Sequence, residues 1–236
     1  MITTAIMQPT YLPWYGYFSL INLVDNFVFL DNVQFEKRSW QQRNYLKSSN
    51  GKIVITVPVK TKNSYHQLIK DVQIDRTSNF ANKHKKTIDL LYKKSKFYKL
   101  FYNDIFDIIE YEHLYLANLN VALIRTISEF LNLKKKNFFL ASEICDEKEN
   151  KDLLLSSICK KLNTDIYISP LTSKIYLNNS ESFINKNIKI KYFNFNSVKY
   201  SQLFGEFLEK MSIVDLLFNT GPAAKDILDK NYILTD

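Results

Sequence analysis

The first 44 residues constrain the fold of this chain more than any other stretch. Residues 3–7 and 27–30 are short apolar runs, and apolar residues at positions 18, 21 and 24 lie between them at helical spacing. Residues 8–17 contain two prolines and one glycine, which predicts an irregular loop at the start of that helix. The order strand, loop, helix, strand is typical of a parallel sheet in an α/β fold.

A dense polar segment, residues 31–44, follows the second apolar run. A right-handed helical crossover joins the strands at 3–7 and 27–30, so they are predicted to be parallel neighbours. The 8–17 loop and the 31–44 segment then leave the same edge of the sheet and face each other. Ligands of open α/β sheets bind at this edge, in the crevice at the carboxyl ends of the strands. The sequence therefore predicts a ligand site between the two loops.

The rest of the chain predicts further strands and a helical insertion. A hairpin signal stands at Asn50-Gly51. Periodicity predicts strands at 52–59, 72–75, 138–140, 165–170 and 188–195, and helices at 79–94, 97–110, 113–132, 151–162, 206–218 and 223–230, with a charged turn at 147–152. The simplest fold is α/β, with a Rossmann-like, mostly parallel sheet and flanking helices, to which residues 79–132 add a helical layer.

The composition fits a single domain that spans residues 1–236. Hydrophobic residues make up 46% of the chain, enough for a full core. The net charge of +8, from 32 basic and 24 acidic residues, allows an anionic ligand but identifies none. Two widely spaced cysteines argue against a disulfide framework or a zinc site. The chain shows no signal peptide and no apolar run of about 18 residues, so we expect a cytoplasmic protein.

Three cations in the polar segment, Lys37, Arg38 and Arg43, are candidates for binding an anion. Arginine binds phosphate or carboxylate groups bidentately and lysine supplies a point charge, so the set suits a nucleotide diphosphate. Trp40 or Trp14 would then stack on a ring of the ligand. The alternative is a solvated surface. Nucleic acid would use the same chemistry, but no nucleic-acid-binding module accompanies the cations.

Three titratable residues are candidates for proton transfer. His84 shares one face of its predicted helix with Phe80 and Tyr92, and histidine titrates near neutral pH. Asp215 is flanked by apolar residues, so its carboxyl group needs a partner or faces a cleft. Asp31 begins the polar segment and is a candidate general base or ribose ligand. The alternative for His84 is a surface or structural role.

Two amides and one glycine complete the candidates at the sheet edge. Gln8 and Asn44 would orient a substrate, or else cap turns. The missing Cβ of Gly16 would let backbone or ligand approach closely, or else permit a tight turn. The chain contains none of the common phosphate-loop, dinucleotide, zinc-protease or hydrolase motifs, so no cofactor and no metal site is assigned.

These motifs together resemble the WbqC-like family. The resemblance rests on Gln8-Pro9, Leu12-Pro13-Trp14, Gly16-Tyr17, Asp25, Asp31-Asn32-Val33-Gln34-Phe35, Lys37-Arg38, Trp40, Arg43-Asn44, Val57-Pro58-Val59, His84, Tyr92, Tyr167-Ile168-Ser169, Tyr176-Leu177, Tyr200, residues 212–219 and Gly221. It covers essentially the whole chain. It departs from the family pattern at Pro170, where a glycine is expected.

The resemblance implies a bacterial cytoplasmic protein encoded with enzymes of O-antigen, capsule or flagellar glycan synthesis. It implies a transferase that adds an acyl or aminoacyl group, from an unidentified donor, to a nucleotide-linked amino sugar. The alternative is a sugar-nucleotide-binding or scaffold protein without turnover. The residues expected to bind substrate are Gln8, Trp14, Gly16, Tyr17, Lys37, Arg38, Trp40, Arg43 and Asn44, and those expected to be catalytic are His84, Asp215 and Asp31. Neither nucleic acid nor a membrane is an expected partner.

Overall fold

A computed structural model describes residues 1–60, 66–133, 137–145, 151–229 and 231–236. The strands are β1 (Thr3–Met7), β2 (Asn26–Phe29), β3 (Arg43–Ser48), β4 (Gly51–Thr56), β5 (Asn137–Leu140), β6 (Ile166–Pro170), β7 (Lys189–Phe195) and β8 (Tyr232–Thr235). The α-helices are α1 (Tyr15–Leu23), α2 (Phe80–Tyr92), α3 (Tyr98–Glu110), α4 (Leu116–Phe130), α5 (Ala141–Ile144), α6 (Lys151–Lys161), α7 (Lys174–Leu177), α8 (Glu181–Ile184), α9 (Ile213–Thr220) and α10 (Ala224–Asp229). None of the helices in these ranges is long and apolar enough to cross a bilayer.

The main sheet has the strand order β5-β2-β1-β6-β7-β8, and its neighbours are parallel except for β7 and β8. Strand β1 pairs with β2 in a register that runs from Thr4 opposite Asn26 to Met7 opposite Phe29. The predicted parallel pairing of these two strands is therefore confirmed. The predicted α/β class, with a mostly parallel sheet and flanking helices, is confirmed as well.

Alternate residues of the central strands face two separate cores, as the two-residue period of a strand requires. Ala5 of β1 and Phe27 of β2 face the larger core, whereas Ile6 and Val28 face the smaller one. Side chains of α1, α9, α10 and the helical insertion complete the larger core. Side chains of α5, α6, α7 and α8 complete the smaller core. The sheet is therefore buried on both faces, which is typical of parallel sheets.

The helical insertion and the hairpin form as the sequence predicts. Helices α2, α3 and α4 occupy the three predicted helical ranges and bury an apolar stripe in the larger core. Strands β3 and β4 pair antiparallel around Asn50-Gly51, and Gly51 has a φ of 102°, which favours glycine. The hairpin is a separate two-stranded sheet that buries Leu46 and Ile55 against the larger core.

The strand predicted at 72–75 is wrong. Gln73 and Ile74 each form an isolated bridge, to Tyr115 and Val59 respectively, and no ladder extends from them among the described residues. The alternation that suggested a strand comes from burial of Val72 and Ile74 in the larger core. Alternation identifies a half-buried extended segment, but it does not establish that a partner strand exists.

The helix predicted at 206–218 begins only at Ile213. Lys210 has a φ of 57° and Ser212 is extended with a ψ of 148°, and neither conformation continues a right-handed helix. Strand β8, at the antiparallel edge, was not predicted. Within the predicted turn at 147–152, residues 147–150 lie outside the described ranges, and residues 151 and 152 begin α6.

Candidate functional site

A cavity of about 970 Å³ opens where β1, β2 and β6 end. Its walls come from the 8–17 loop, the polar segment after β2, the start of α6 and the residues after β6. The polar and aromatic lining residues are Gln8, Thr10, Asn32, Gln34, Glu36, Ser39, Trp40, Gln41, Lys151, Tyr167, Ser169, Thr172, Ser173 and Tyr176. The cavity thus lies at the carboxyl edge of the sheet, where α/β folds bind ligands.

The two loops predicted to face each other are hydrogen-bonded at the cavity. The backbone N–H of Tyr11 donates to the carbonyl of Trp40 at 3.0 Å. The side-chain amide of Gln41 donates to Oε1 of Gln8 at 2.9 Å. The hydroxyl of Tyr17 donates to the carbonyl of Gln8 at 3.1 Å, so Tyr17 holds the loop but does not line the cavity. Gln8 therefore lies in the cavity wall with its oxygen and its backbone already held.

Two buried asparagines brace the same loops. Asn120 of α4 donates to the carbonyls of Pro9, at 3.1 Å, and Gln41, at 2.8 Å, so one side chain contacts both loops. Asn44 donates to the carbonyls of Tyr11 and Leu12 at 3.1 and 2.7 Å. Asn44 supports the 8–17 loop and is not among the residues that line the cavity. The helical insertion thus contributes directly to the shape of the site.

A row of hydroxyl groups lines the wall after β6. Ser173 Oγ lies 2.7 Å from Ser169 Oγ, which in turn donates to the hydroxyl of Tyr167 at 3.3 Å. Burial raises the pKa of the Tyr167 phenol, and it also raises the pKa of Tyr176. Both phenols are therefore protonated at neutral pH and can donate hydrogen bonds. This wall suits the hydroxyl or phosphate oxygens of a ligand.

His84 is buried outside the cavity lining, with 5% of its surface exposed. The carbonyl of Thr56 can only accept, so Nε2 carries the proton and donates to it at 3.2 Å. Nδ1 then accepts from the hydroxyl of Tyr11 at 2.9 Å. Burial lowers the pKa of His84 to about 4, although the Thr56 carbonyl opposes this. Its catalytic role stays a prediction, and this environment favours a structural role.

Asp215 is fully buried and also lies apart from the cavity lining. Its carboxylate accepts hydrogen bonds of 2.8 Å from the hydroxyls of Tyr92 and Tyr200 and from the amide of Gln202. Burial raises the pKa of Asp215, while these three donors and the Lys47 ammonium act in the opposite direction. The carboxylate therefore joins α9 to α2 and to the loop at 200–212. The catalytic role of Asp215 stays a prediction.

Asp31 is 2% exposed and caps α5 instead of lining the cavity. Its two carboxylate oxygens accept from the backbone N–H of Ser142, at 2.9 Å, and from the hydroxyl of Ser142, at 2.7 Å. These bonds satisfy donors at the start of that short helix. To act as a general base on a ligand in the cavity, Asp31 would first have to break these hydrogen bonds.

Trp14 and Gly16 pack against each other behind the 8–17 loop. A Cβ on Gly16 would collide with the indole ring of Trp14, so the indole occupies the space that the missing Cβ leaves. The indole also packs edge-to-face against Phe195 at a centroid distance of 5.6 Å. Neither Trp14 nor Gly16 lines the cavity.

The cations of the polar segment also lie outside the lining. Lys37 and Arg38 are exposed, and Arg38 has a φ of 59°. Arg43 is half-buried on β3, opposite Thr56. Of the residues expected to bind substrate, Gln8 and Trp40 line the cavity. The anion-binding role of the three cations stays a prediction.

Sequence reasoning missed the contribution of α6 and of the residues after β6. Ser169 belongs to a motif on which the family resemblance rests, and so does Tyr176, but neither was assigned a role. The sequence signal that could have identified these two residues is a hydroxyl-bearing side chain at, or soon after, the end of a predicted strand. Lys151 carries no sequence signal of its own. Among the described residues, no group of three or more His, Cys, Asp or Glu side chains is placed to hold a metal ion.

Comparison with known proteins identifies relatives of the whole chain. A model of the WbqC-like protein family matches residues 8–227. The uncharacterized protein Rv1507c of Mycobacterium tuberculosis is 33% identical over 234 residues, a match that covers 97% of this chain and 98% of that protein. No solved structure matches the chain. Because the family model spans the cavity-lining loops, the helical insertion and α9, the chain belongs to the WbqC-like protein family.

Proposed function

We propose that this protein is a cytoplasmic transferase that adds an acyl or aminoacyl group to a nucleotide-linked amino sugar during the synthesis of a bacterial surface glycan. The observation that carries the proposal is the cavity that both loops line at the carboxyl edge of the sheet. Its volume of about 970 Å³ is near the upper end of the range of roughly 300–1,000 Å³ typical of small-molecule sites. A ligand as large as a nucleotide sugar fits this space.

The chemistry of the wall supports a ligand with flat and hydroxylated parts. Trp40 and Tyr176 line the cavity and are 49% and 43% exposed, so each presents a ring face or edge to a ligand. Aromatic side chains stack on bases and on the apolar faces of sugars. The amides of the two loops and the hydroxyls after β6 supply donors and acceptors for the remaining groups of a sugar.

The proposed reaction forms an amide bond. The uncharged amine of the sugar attacks the carbonyl carbon of the donor, and the donor's leaving group departs with the electron pair of the broken bond. The nitrogen loses one proton, which passes to water or to the departing group. The cavity would contribute mainly by holding the amine and the carbonyl carbon together. Glu36 is a carboxylate of the cavity wall that can accept a hydrogen bond from the amine.

A second candidate function is sugar-nucleotide binding without turnover. The observation in its favour is that His84 and Asp215 are buried among protein partners, outside the cavity lining. A binding or scaffold protein needs the aromatics and the polar wall, but it needs no proton carrier. The two candidates share the ligand and differ in whether a product forms.

Two measurements test these proposals. Calorimetric titration with uridine- and thymidine-diphosphate hexosamines should detect binding, and Trp40→Ala or Tyr176→Ala should weaken it by about tenfold, the low end of aromatic stacking. Tyr111→Ala is the matched control, because Tyr111 is 67% exposed and does not line the cavity. Mass spectrometry after addition of acyl-coenzyme A, or of amino acids with ATP, should show an acylated sugar. Binding without product supports the second candidate, and no binding refutes both.

A further inference from the structure

Two lining residues of the described cavity carry charge, and their charges are opposite. Glu36 lies in the polar segment after β2. Its backbone is fixed, because its N–H donates to Oε1 of Gln41 at 3.1 Å and its carbonyl accepts from the hydroxyl of Ser39 at 2.8 Å. Within the described ranges, its carboxylate has no hydrogen bond or ion pair. Glu36 thus places a negative charge at the cavity that has no ion-pair partner among these residues.

Lys151, at the start of α6, supplies the positive charge on a different wall. Its ammonium lies 4.0 Å from the ring centroid of Tyr176, which belongs to the segment after β6. Thr172 and Ser173 of that segment also line the cavity. The described residues provide no ion-pair partner for Lys151. Its ammonium and the neighbouring hydroxyls are donors of the kind that bind phosphate oxygens.

We infer that the cavity holds its ligand in one orientation, with the sugar amine at Glu36 and the phosphate groups at Lys151. This inference rests on the proposed function, because it assigns the two ends of the nucleotide-linked amino sugar. The reverse orientation would place the phosphates beside a carboxylate and the ammonium beside another ammonium, and like-charge contacts discriminate against a binding mode. Glu36 is then the residue that distinguishes an amino sugar from a sugar with a hydroxyl in the same position.

The orientation also assigns each aromatic lining residue to one part of the ligand. Trp40 belongs to the same segment as Glu36, and Tyr176 is in contact with Lys151. A sugar whose amine lies at Glu36 is therefore placed next to the segment that contains Trp40, and its ring can stack on that indole. Phosphates at Lys151 leave the adjoining Tyr176 ring for the nucleoside.

The test compares each hexosamine nucleotide with the hexose nucleotide that has a hydroxyl in place of the amine, for example UDP-glucosamine with UDP-glucose and the corresponding thymidine pair. Glu36→Gln keeps the size of the side chain and removes its charge. It should raise the Kd of the hexosamine about fivefold and leave the Kd of the hexose nearly unchanged, as expected for a partly exposed ion pair. Lys151→Gln should raise both Kd values about fivefold, because both ligands carry the diphosphate.

Two exposed residues remote from the cavity provide matched controls. Glu112→Gln and Lys99→Gln make the same chemical changes outside the cavity lining, and both variants should bind like the wild type. If the wild type binds the nucleotides but Glu36→Gln weakens the two members of a pair equally, or weakens neither, the orientation is wrong and the proposed function stands. If the wild type binds no member of either pair, the proposed function fails, and the orientation fails with it.

Discussion

The buried His84 should make the stability of the fold depend on pH. Burial lowers its folded-state pKa to about 4 from an ordinary value of 6.5. Between these two values the unfolded chain binds a proton at this position and the folded chain does not. The stabilising contribution is therefore complete above about pH 6.5 and is lost as the pH falls toward 4.

The size of the effect follows from the two pKa values. Each unit of pKa difference corresponds to about 1.4 kcal/mol, so the full difference between 6.5 and about 4 corresponds to about 3 kcal/mol of unfolding free energy. Between pH 7 and pH 5, which is a practical range, about 2 kcal/mol of this should be lost. Since 5% of the side chain is exposed, solvent screening reduces the value little.

Urea denaturation of the wild type and His84→Gln at several pH values measures this term. Glutamine cannot titrate, so the stability difference between the two proteins should shrink by about 2 kcal/mol from pH 7 to pH 5. His66→Gln makes the same substitution at an exposed histidine and serves as the control. Coincident fluorescence and circular-dichroism transitions establish that a two-state analysis applies.

A result that leaves the stability difference constant over this range would refute the reasoning. NMR titration of a ¹³C-labelled imidazole offers an independent check, because His84 should remain neutral well below pH 6. An ordinary pKa would mean that water or a carboxylate reaches the ring, and the catalytic role predicted from the sequence would then gain support. A neutral ring held by Tyr11 and Thr56 would instead support a structural role for His84.

Three further outcomes follow from the same contacts. Asp215→Ala should lower the unfolding free energy, measured by urea denaturation, by about 3 kcal/mol or more, because three donors lose their acceptor. Asp215→Asn should lower it less, and equal stability of the wild type and the alanine variant would contradict these hydrogen bonds. Gly221→Ala should cost about 2 kcal/mol or more, visible as a lower Tm, because Gly221 has a φ of 59° and an added Cβ would collide with the ring of Phe97. Arg38→Ala and Arg43→Ala should leave nucleotide-sugar Kd values within about twofold, since neither residue lines the cavity; a tenfold loss in calorimetry would return these cations to the site.

Local sequence patterns predicted the sheet edge but only part of the cavity wall. The turn residues at 8–17 and the helical spacing after them determine that β1 and β2 are parallel neighbours, so the meeting of the two loops could be predicted. Gln8 and Trp40 accordingly line the cavity. A pattern assigns a residue to a loop but not a direction to its side chain. Arg38 illustrates this limit, because its φ of 59° is rare for residues other than glycine and asparagine.

The wall formed by β6 and α6 could not be predicted for a different reason. Ser169 and Lys151 are more than a hundred residues from the first loops, and they reach the cavity because β6 pairs with the other edge of β1. Strand order depends on which apolar faces pack best across the whole chain, and short-range periodicity contains no information about it. Two hydrogen-bond partners were unpredictable in the same way, since Ser142 lies 111 residues from Asp31 and Tyr92 lies 123 residues from Asp215.

The helical insertion is connected to the loops of the cavity by hydrogen bonds. The side chain of Asn120 on α4 donates to the carbonyls of Pro9 and Gln41, which belong to the two loops that line the cavity. A buried carbonyl without a donor costs about 1–3 kcal/mol, so loss of this amide would favour separation of the loops from α4. The insertion therefore does more than enlarge the larger core. The Asn120 amide holds both loops at positions next to the bond between Gln8 and Gln41 in the cavity wall. Strands of an α/β sheet provide the crevice, and in this protein a helix that packs beside the sheet braces two of the loops that line it.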